Sequence, residues 1–454
     1  MAVTSGDRVC IIGAGSSGIA SCQVLQARGV PFDCFEKGST VGGNWRYLND
    51  NGMSAAYESL FINTSRRRME YSTFPMPDDY PDYPHHTQIA QYFDDFVDHF
   101  GFREEIRFNT EITSVSPADE GGWDVETDDG EERRYAAVLV ANGHHWNPRW
   151  PEFPGEFSGE AIHAHSYTNW RGFEDKRVLV LGIGNSACDI ACETSRVSDM
   201  TFLAMRRGAY VIPKYLKGKP TDELGSDLTS RLPLAIQRTM YEQLLKTAQG
   251  EMEDYGLPKP DHKILEAHPT VSAELVQRIG HGRVKPKPNI ERLEGDYVRF
   301  VDGSRERIDR IVYCTGYKIT FPFFSPDLLD AHDNRLPLYR RVVHPRLDGL
   351  YLIGLVQPLG AIMPLAEAQS EWVADLLQGR VGLPLRPEME EVIRREDERM
   401  RSRYVASPRH TIQVDFFPYL RTIQRERRRG GAGRKRLAGR RAERSHELRL
   451  EAPA

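Results

Sequence analysis

RVCIIGAGSSGIASCQVLQARGV, residues 8–30, decides the fold. A short β-rich run, Arg8 to Ile12, leads into Gly13, Gly15 and Gly18 at G-x-G-x-x-G spacing. Apolar residues at Ile19, Cys22, Val24 and Leu25 then follow a helical period up to a stop at Gly29. Glycines at these three places allow a tight turn, close backbone approach to a pyrophosphate and close helix–strand packing, while the helix N-terminus faces the anion. Phe32 to Phe35 reads as the next strand, and Glu36 closes the unit where a carboxylate accepts hydrogen bonds from a ribose. A glycine turn without a nucleotide is the competing reading; strand, turn, helix and carboxylate together weigh against it.

The same grammar recurs at Arg177 to Leu181, followed by GIGNSA, a helix from Ser186 to about Ser195, and a strand from Met200 to Met205. Gly182 and Gly184 keep the spacing, with Ala187 at the tolerated third position. This strand is followed by Arg206 and Arg207 where the first unit has its carboxylate. A guanidinium there pairs with a 2′-phosphate that a carboxylate would repel, so NADPH is the expected donor. The alternative is two surface arginines at a strand end. Two such units predict an α/β fold with two doubly wound, Rossmann-like dinucleotide-binding domains.

A chain of 454 residues with 40% hydrophobic content is expected to hold two or three domains. Its charge of −5 is uneven: Arg421 to Ala454 carries eleven Arg and one Lys against four Glu, a local excess of +8. That stretch, poor in apolar residues, reads as a disordered or frayed tail. Its arginines leave open nonspecific charge pairing with nucleic acid or an anionic membrane, although a solvated tail is the preferred reading. Neither an apolar leader nor a run of about 18 apolar residues is present, so a soluble, cytoplasmic protein without a membrane span is expected. Six cysteines without a C-x-x-C pair or zinc spacing argue for reduced thiols, no metal, and no dithiol reductase chemistry.

Between the units, Thr87 to Phe100 has one apolar face, and short strands with Gly/Asp turns run from Ile106 to Val140. A helical insertion near Leu232 to Ala248 precedes strands at Tyr297 to Phe300, Arg310 to Tyr313 and Gly349 to Ile353, then a helix from Pro364 to Leu377. AVLVANG (Ala137 to Gly143) and IVYCTG (Ile311 to Gly316) each end an apolar strand at a turn, where packing and cofactor contact are both open readings.

FSGEAIHAHSY, Phe157 to Tyr167, reads F-x-G-x-x-x-H-x-x-x-Y and precedes the second fingerprint. This pattern resembles the identifying motif of the flavin-containing monooxygenases. The resemblance extends through DDYPDYPHHTQIAQYF from Asp78, YGLPKP from Tyr255, RVKPKPNI from Arg283 and IGLVQPLGAIMPLAEAQSEW from Ile353, and covers about residues 8 to 420. It implies an FAD domain in two parts, 1–168 and 281–420, with the NADP domain, 169–280, inserted between them and 421–454 as tail. Gly13, Ala14, Gly15, Ser16, Ser17, Gly18, Glu36, Lys37, Gly43, Asn44, Trp45, Asn63, Thr64, Val115 and Gln357 are then the expected FAD contacts. Ile62, Gly182, Gly184, Asn185, Ser186, Ala187, Cys188, Asp189, Arg206 and Arg207 are those for NADP.

The resemblance further implies that NADPH reduces FAD and that a flavin C4a-hydroperoxide oxygenates a soft nucleophile, an amine nitrogen or a sulfide sulfur. Its partners would be that small molecule and molecular oxygen, with no specific nucleic acid; a homodimer is an open expectation. Such an oxidant needs a dry pocket and a polar group beside it, and Asn63, in SLFINTS, is the catalytic candidate. His163 and Tyr167 are expected to hold the linker instead of doing chemistry, which the cofactor supplies. Baeyer–Villiger oxygenation of a ketone is the alternative; that motif resembles this one but closes with Trp where this chain has Tyr167. The aromatic, proline-rich run Tyr71 to Pro84 is a candidate contributor to the substrate pocket.

Overall fold

A computed structural model describes residues 7–404 and 411–429. Two five-stranded sheets, each wholly parallel, organise the chain. The first has the order Leu350–Leu352, Ala137–Val140, Val9–Ile12, Phe32–Phe35, Ile106–Arg107. The second has the order Glu160–His163, Arg310–Tyr313, Arg177–Leu181, Met200–Ala204, Val284–Lys287. Parallel sheets are covered on both faces, and the runs VCII and VLVL are buried at every position.

Strand pairing corrects the expected division of the chain. Val284–Lys287 and Arg310–Tyr313, assigned by sequence to the first unit, lie in the second sheet, as does Glu160–His163 from ahead of residue 169. Arg310–Tyr313 is a short buried apolar run that has the same pattern in either sheet, and Val284–Lys287 and Glu160–His163 are short, partly polar edge strands, so local sequence does not say which neighbour each takes.

The helix Ser16–Ala27 is buried continuously from Gly18 to Leu25 and packs against Met363–Leu377. Ser21 and Ser370, both fully buried, meet across that contact at 2.9 Å between hydroxyl oxygens. Small side chains let these two helices close on one another.

The helix Phe416–Arg428 corrects the tail reading for its first residues. Ile423 is fully buried and Tyr419 nearly so, with Glu426 alongside. Arg427 donates to Asp375 at 2.9 Å and to Glu371, Arg340 donates to Glu426 at 2.9 Å, and Arg421 donates to Asp227. Partners far away in sequence thus turn a charge-rich stretch into a packed helix. The rest of the arginine-rich stretch, 430–454, lies outside the described residues. Among those described, no helix is long and apolar enough to cross a membrane.

Replacing Ile423 with Ala should cost about 2–5 kcal/mol, and exposed Arg425 with Ala less than about 0.5 kcal/mol. Urea unfolding of the holoenzyme measures both.

Candidate active site

Three loops of the first unit meet backbone to backbone. Gly13 has φ +97°, and a Cβ on it would lie 2.9 Å from the Ala141 carbonyl oxygen. A Cβ on Gly18 would lie 1.8 Å from the Gly13 carbonyl oxygen. A Cβ on Gly43, in the glycine pair Gly42–Gly43, would lie 3.1 Å from Gly15 Cα, and one on Gly354 would lie 2.0 Å from the side-chain Oγ of Ser17. Gly42 N–H donates to Ala14 C=O at 3.0 Å, which links two of the loops directly. Cβ atoms at Gly13, Gly18 and Gly43 would force these backbones apart at the helix N-terminus, where a dinucleotide's pyrophosphate would sit.

Glu36, 3% exposed, shapes this cradle. Its Oε2 accepts from Ala14 N–H at 2.8 Å, and its Oε1 accepts from Gly38 N–H and Asn51 Nδ2, both at 2.9 Å. A carboxylate has about four acceptor sites, so room for about one more donor, such as a ribose hydroxyl, remains. Asn44 Oδ1 accepts from Ala55 N–H at 2.9 Å, and Trp45 N–H donates to Gly42 C=O at 3.0 Å, which fixes the second glycine loop. Ser16 C=O accepts from the Tyr71 hydroxyl at 2.5 Å.

Other expected contacts also have partners within the fold. Lys37 pairs with Glu111 at 2.9 Å on the surface. Val115, 2% exposed, belongs to a core cluster of the antiparallel strands and donates its N–H to Phe323 C=O at 2.8 Å. Gln357 N–H donates to Ile412 C=O at 2.8 Å, and its strand pairs in parallel with Gln413–Asp415. Of the aromatic run, Tyr71 and Met76 are core residues, and Tyr71 stacks on Tyr92.

In the second unit, Gly182 has φ +136°, and a Cβ there would sit 2.7 Å from the Cys314 carbonyl oxygen. Gly184 caps the helix Asn185–Thr194 in extended backbone. Asn185 Oδ1 accepts from Val271 N–H at 2.8 Å, while Ala187 and Cys188 are buried. Ser186, half-buried, stands in the first turn. The Tyr57 hydroxyl donates to Asp189 at 2.5 Å, and burial pushes that carboxyl up to about 6, against the pull of this bond and of Lys214. Arg206 is exposed and, among the described residues, carries no ion pair, whereas Arg207 faces Asp261 at 3.5 Å.

Asn63 stands in the turn after Ile62. Its Oδ1 is buried and has no hydrogen-bond partner among the described residues, a costly condition unless a ligand supplies a donor. Ile62 itself is fully buried, its N–H donating to Pro84 C=O at 3.1 Å and its carbonyl accepting from Lys214 Nζ at 3.0 Å. Thr64 follows, half-buried. Lys214 comes from the second unit and is one of three lysines in VIPKYLKGKP, with no spacing that relates it to residue 62. Gly354 and Tyr57 were missed as well. The first ends an apolar strand at a turn, as ANG and CTG do, so a signal existed.

The F-x-G-x-x-x-H-x-x-x-Y stretch makes close packing and linker contacts. A Cβ on Gly159 would lie 2.5 Å from the Asp309 carbonyl oxygen and 2.6 Å from the Phe157 ring. His163 ends the edge strand, and its Nδ1 accepts from His165 N–H at 3.1 Å. The Tyr167 hydroxyl donates to Glu193 at 2.9 Å, fastening the linker to the second fingerprint helix.

Residues 6–427 match the family model described as FMO-like, flavin-binding monooxygenase-like. The chain is 37% identical over 437 residues to flavin-containing monooxygenase 5 of Homo sapiens, covering 92% of this chain and 82% of that one. It is 35% identical over 435 residues to dimethylaniline monooxygenase [N-oxide-forming] 2 of Mus musculus, covering 91% and 81%. Among solved structures it resembles the S-allyl-L-cysteine S-oxygenase of Allium sativum, with TM-score 0.71, 25% identity and coverage of 98% and 94%. An open crystal structure of cyclohexanone monooxygenase shares the fold at TM-score 0.70, 18% identity and coverage of 94% and 98%.

A Cβ at Gly15 meets nothing closer than Gly43 Cα at 3.7 Å, so Gly15→Ala should fold. We expect an unchanged thermal midpoint with FAD affinity weakened by about tenfold or more, about 1.4 kcal/mol, in titration of the apoprotein.

Proposed function

We propose that this chain, which belongs to the flavin-binding monooxygenase-like family, is an NADPH-consuming FAD enzyme that oxygenates a soft nucleophile, an amine nitrogen or a sulfide sulfur. Gly13 to Gly18, Glu36 and Gly43 to Trp45 hold FAD, and Gly182 to Asp189 with Arg206 hold NADPH. When bound, FAD supplies the oxygen-activating chemistry of its C4a position. The protein supplies position and dryness. Asn63 carries the reading: a buried amide oxygen without a partner among the described residues is an acceptor kept for a bound group. Its amide steadies the reacting end of the flavin and the nicotinamide.

Arg206, exposed and unpaired among the described residues, reads the 2′-phosphate, while Arg207 is occupied by Asp261. Support for a heteroatom substrate comes from Tyr167 at the end of the motif and from relatives named for N-oxide formation. Baeyer–Villiger oxygenation remains the second reading, favoured by the shared fold with cyclohexanone monooxygenase.

Side-by-side turnover of a thioether and a ketone separates the two. Sulfoxide should form, and exclusive lactone or ester formation would overturn the choice. Asn63→Ala should keep FAD yet divert most NADPH oxidation to hydrogen peroxide, read by a peroxide assay beside NADPH consumption. Arg206→Ala should raise KM for NADPH roughly tenfold, the loss of a charge-assisted contact, and change KM for NADH less than twofold or so.

A further inference from the structure

The second unit grips the Asn63 turn from both sides. A two-stranded hairpin, Tyr215–Leu216 paired with Lys219–Pro220, leaves the second sheet and lies against residues 61–83. Just before it, Lys214 Nζ donates to Ile62 C=O at 3.0 Å. Just after it, one oxygen of Asp222 accepts from both the N–H and the hydroxyl of Ser65, each at 2.8 Å. Ile62 and Ser65 bracket Asn63 and Thr64, so the turn is pinned at each end by a residue of the other unit.

The grip is secured on its own side too. The Tyr83 hydroxyl donates to Lys214 C=O at 2.5 Å, Tyr215 donates to Asp82 at 3.0 Å, and Arg68 donates to Gly225 C=O at 2.5 Å. The Lys214 ammonium lies 4.8 Å from the Tyr83 ring centre and 5.8 Å from that of Phe61. Neither Lys214 nor Asp222 has an ion-pair partner within bonding distance among the described residues; both charged groups spend their hydrogen bonds on the turn. Burying a charge is costly, and only well-made hydrogen bonds offset it.

We infer that Lys214 and Asp222 are positioning residues that hold Asn63 in register with the reacting groups, making the coupling of NADPH oxidation to oxygen transfer depend on the second unit's hairpin. This rests on the role proposed above for Asn63. Without the grip the turn relaxes, the amide oxygen leaves its place, and reducing equivalents escape as hydrogen peroxide. Displacement of a catalytic group by about an ångström is enough to cost rate heavily.

The test uses holoenzyme with a thioether substrate and measures the share of oxidised NADPH recovered as peroxide, together with flavin content and NADPH affinity. Lys214→Met, which keeps the length and removes the donor, should raise the peroxide share at least about threefold with flavin content and NADPH affinity unchanged. Lys214→Arg, which keeps a donor, should restore coupling. Tyr83→Phe removes one support of the grip and leaves its charges in place; it should raise the share in the same direction and decides the question if Lys214→Met fails to fold. Unchanged coupling in Lys214→Met, or in Tyr83→Phe where that decides, would overturn the inference, as would equal leakage from the Met and Arg variants. Asn63→Ala run in parallel separates the two proposals. If it leaks and the hairpin variants do not, the grip is wrong; if it stays coupled, the premise falls first.

Discussion

Backbone meeting backbone without intervening side chains is the constraint on which the first unit depends. A Cβ on Gly18 would stand 1.8 Å from the Gly13 carbonyl oxygen, and one on Gly13 would stand 2.9 Å from the Ala141 carbonyl oxygen; at Gly354 the neighbour is the Ser17 side chain, 2.0 Å away. These approaches set how close the helix Ser16–Ala27 lies to its strand, and with it the contact to Met363–Leu377 behind. A buried relay extends the constraint outward. Gly354 N–H donates to Gln369, whose amide donates to the Tyr419 hydroxyl, which donates to Arg340 C=O, at 2.8, 2.7 and 2.7 Å. The last described helix is thereby connected to a glycine of the cradle. Buried polar chains of this kind are fully satisfied, and they specify one arrangement among several that an apolar core would accept.

The two units share a plan and differ in charge. Glu36 spends three bonds on shaping its own loop, which makes it as much a structural residue as a ribose acceptor. Its counterpart Arg206 carries no such duty among the described residues and stands exposed at the strand end. Similar backbone turns with opposite charge at the second strand's end suit two different dinucleotides. Between them, the Tyr57–Asp189 and Tyr167–Glu193 pairs tie the first unit and the linker to the second fingerprint helix.

Local chemistry was legible in the sequence wherever the reason for a residue is local. Gly13, Gly15, Gly18, Gly182 and Gly184 announce their turns because only the backbone beside them matters, and the amphipathic run at Thr87 to Phe100 appears as the helix His86–Phe100. Sheet membership was less legible, since Arg310–Tyr313 has the same buried pattern in either sheet. The packed helix Phe416–Arg428 was read as tail because the carboxylates that neutralise Arg421 and Arg427 come from residues 227, 371 and 375. Lys214 was invisible for the same reason, its acceptor being Ile62. Asn63 was legible through resemblance alone; that its oxygen lacks a partner among the described residues is a fact of three dimensions.

The closeness of Gly354 to Ser17 also has a consequence for how the protein is made. The strand Leu350–Leu352 completes the sheet that Val9–Ile12 begins, so the first glycine loop leaves the ribosome long before its partner exists. At translation speeds of about 5–20 residues per second, the wait is on the order of 20–70 s. During that interval the apolar helix Ser16–Ala27 lacks the helix that covers it, while the whole second sheet is synthesised and can close. Birth order and assembly order are therefore opposed: the dinucleotide fold begun first is finished last.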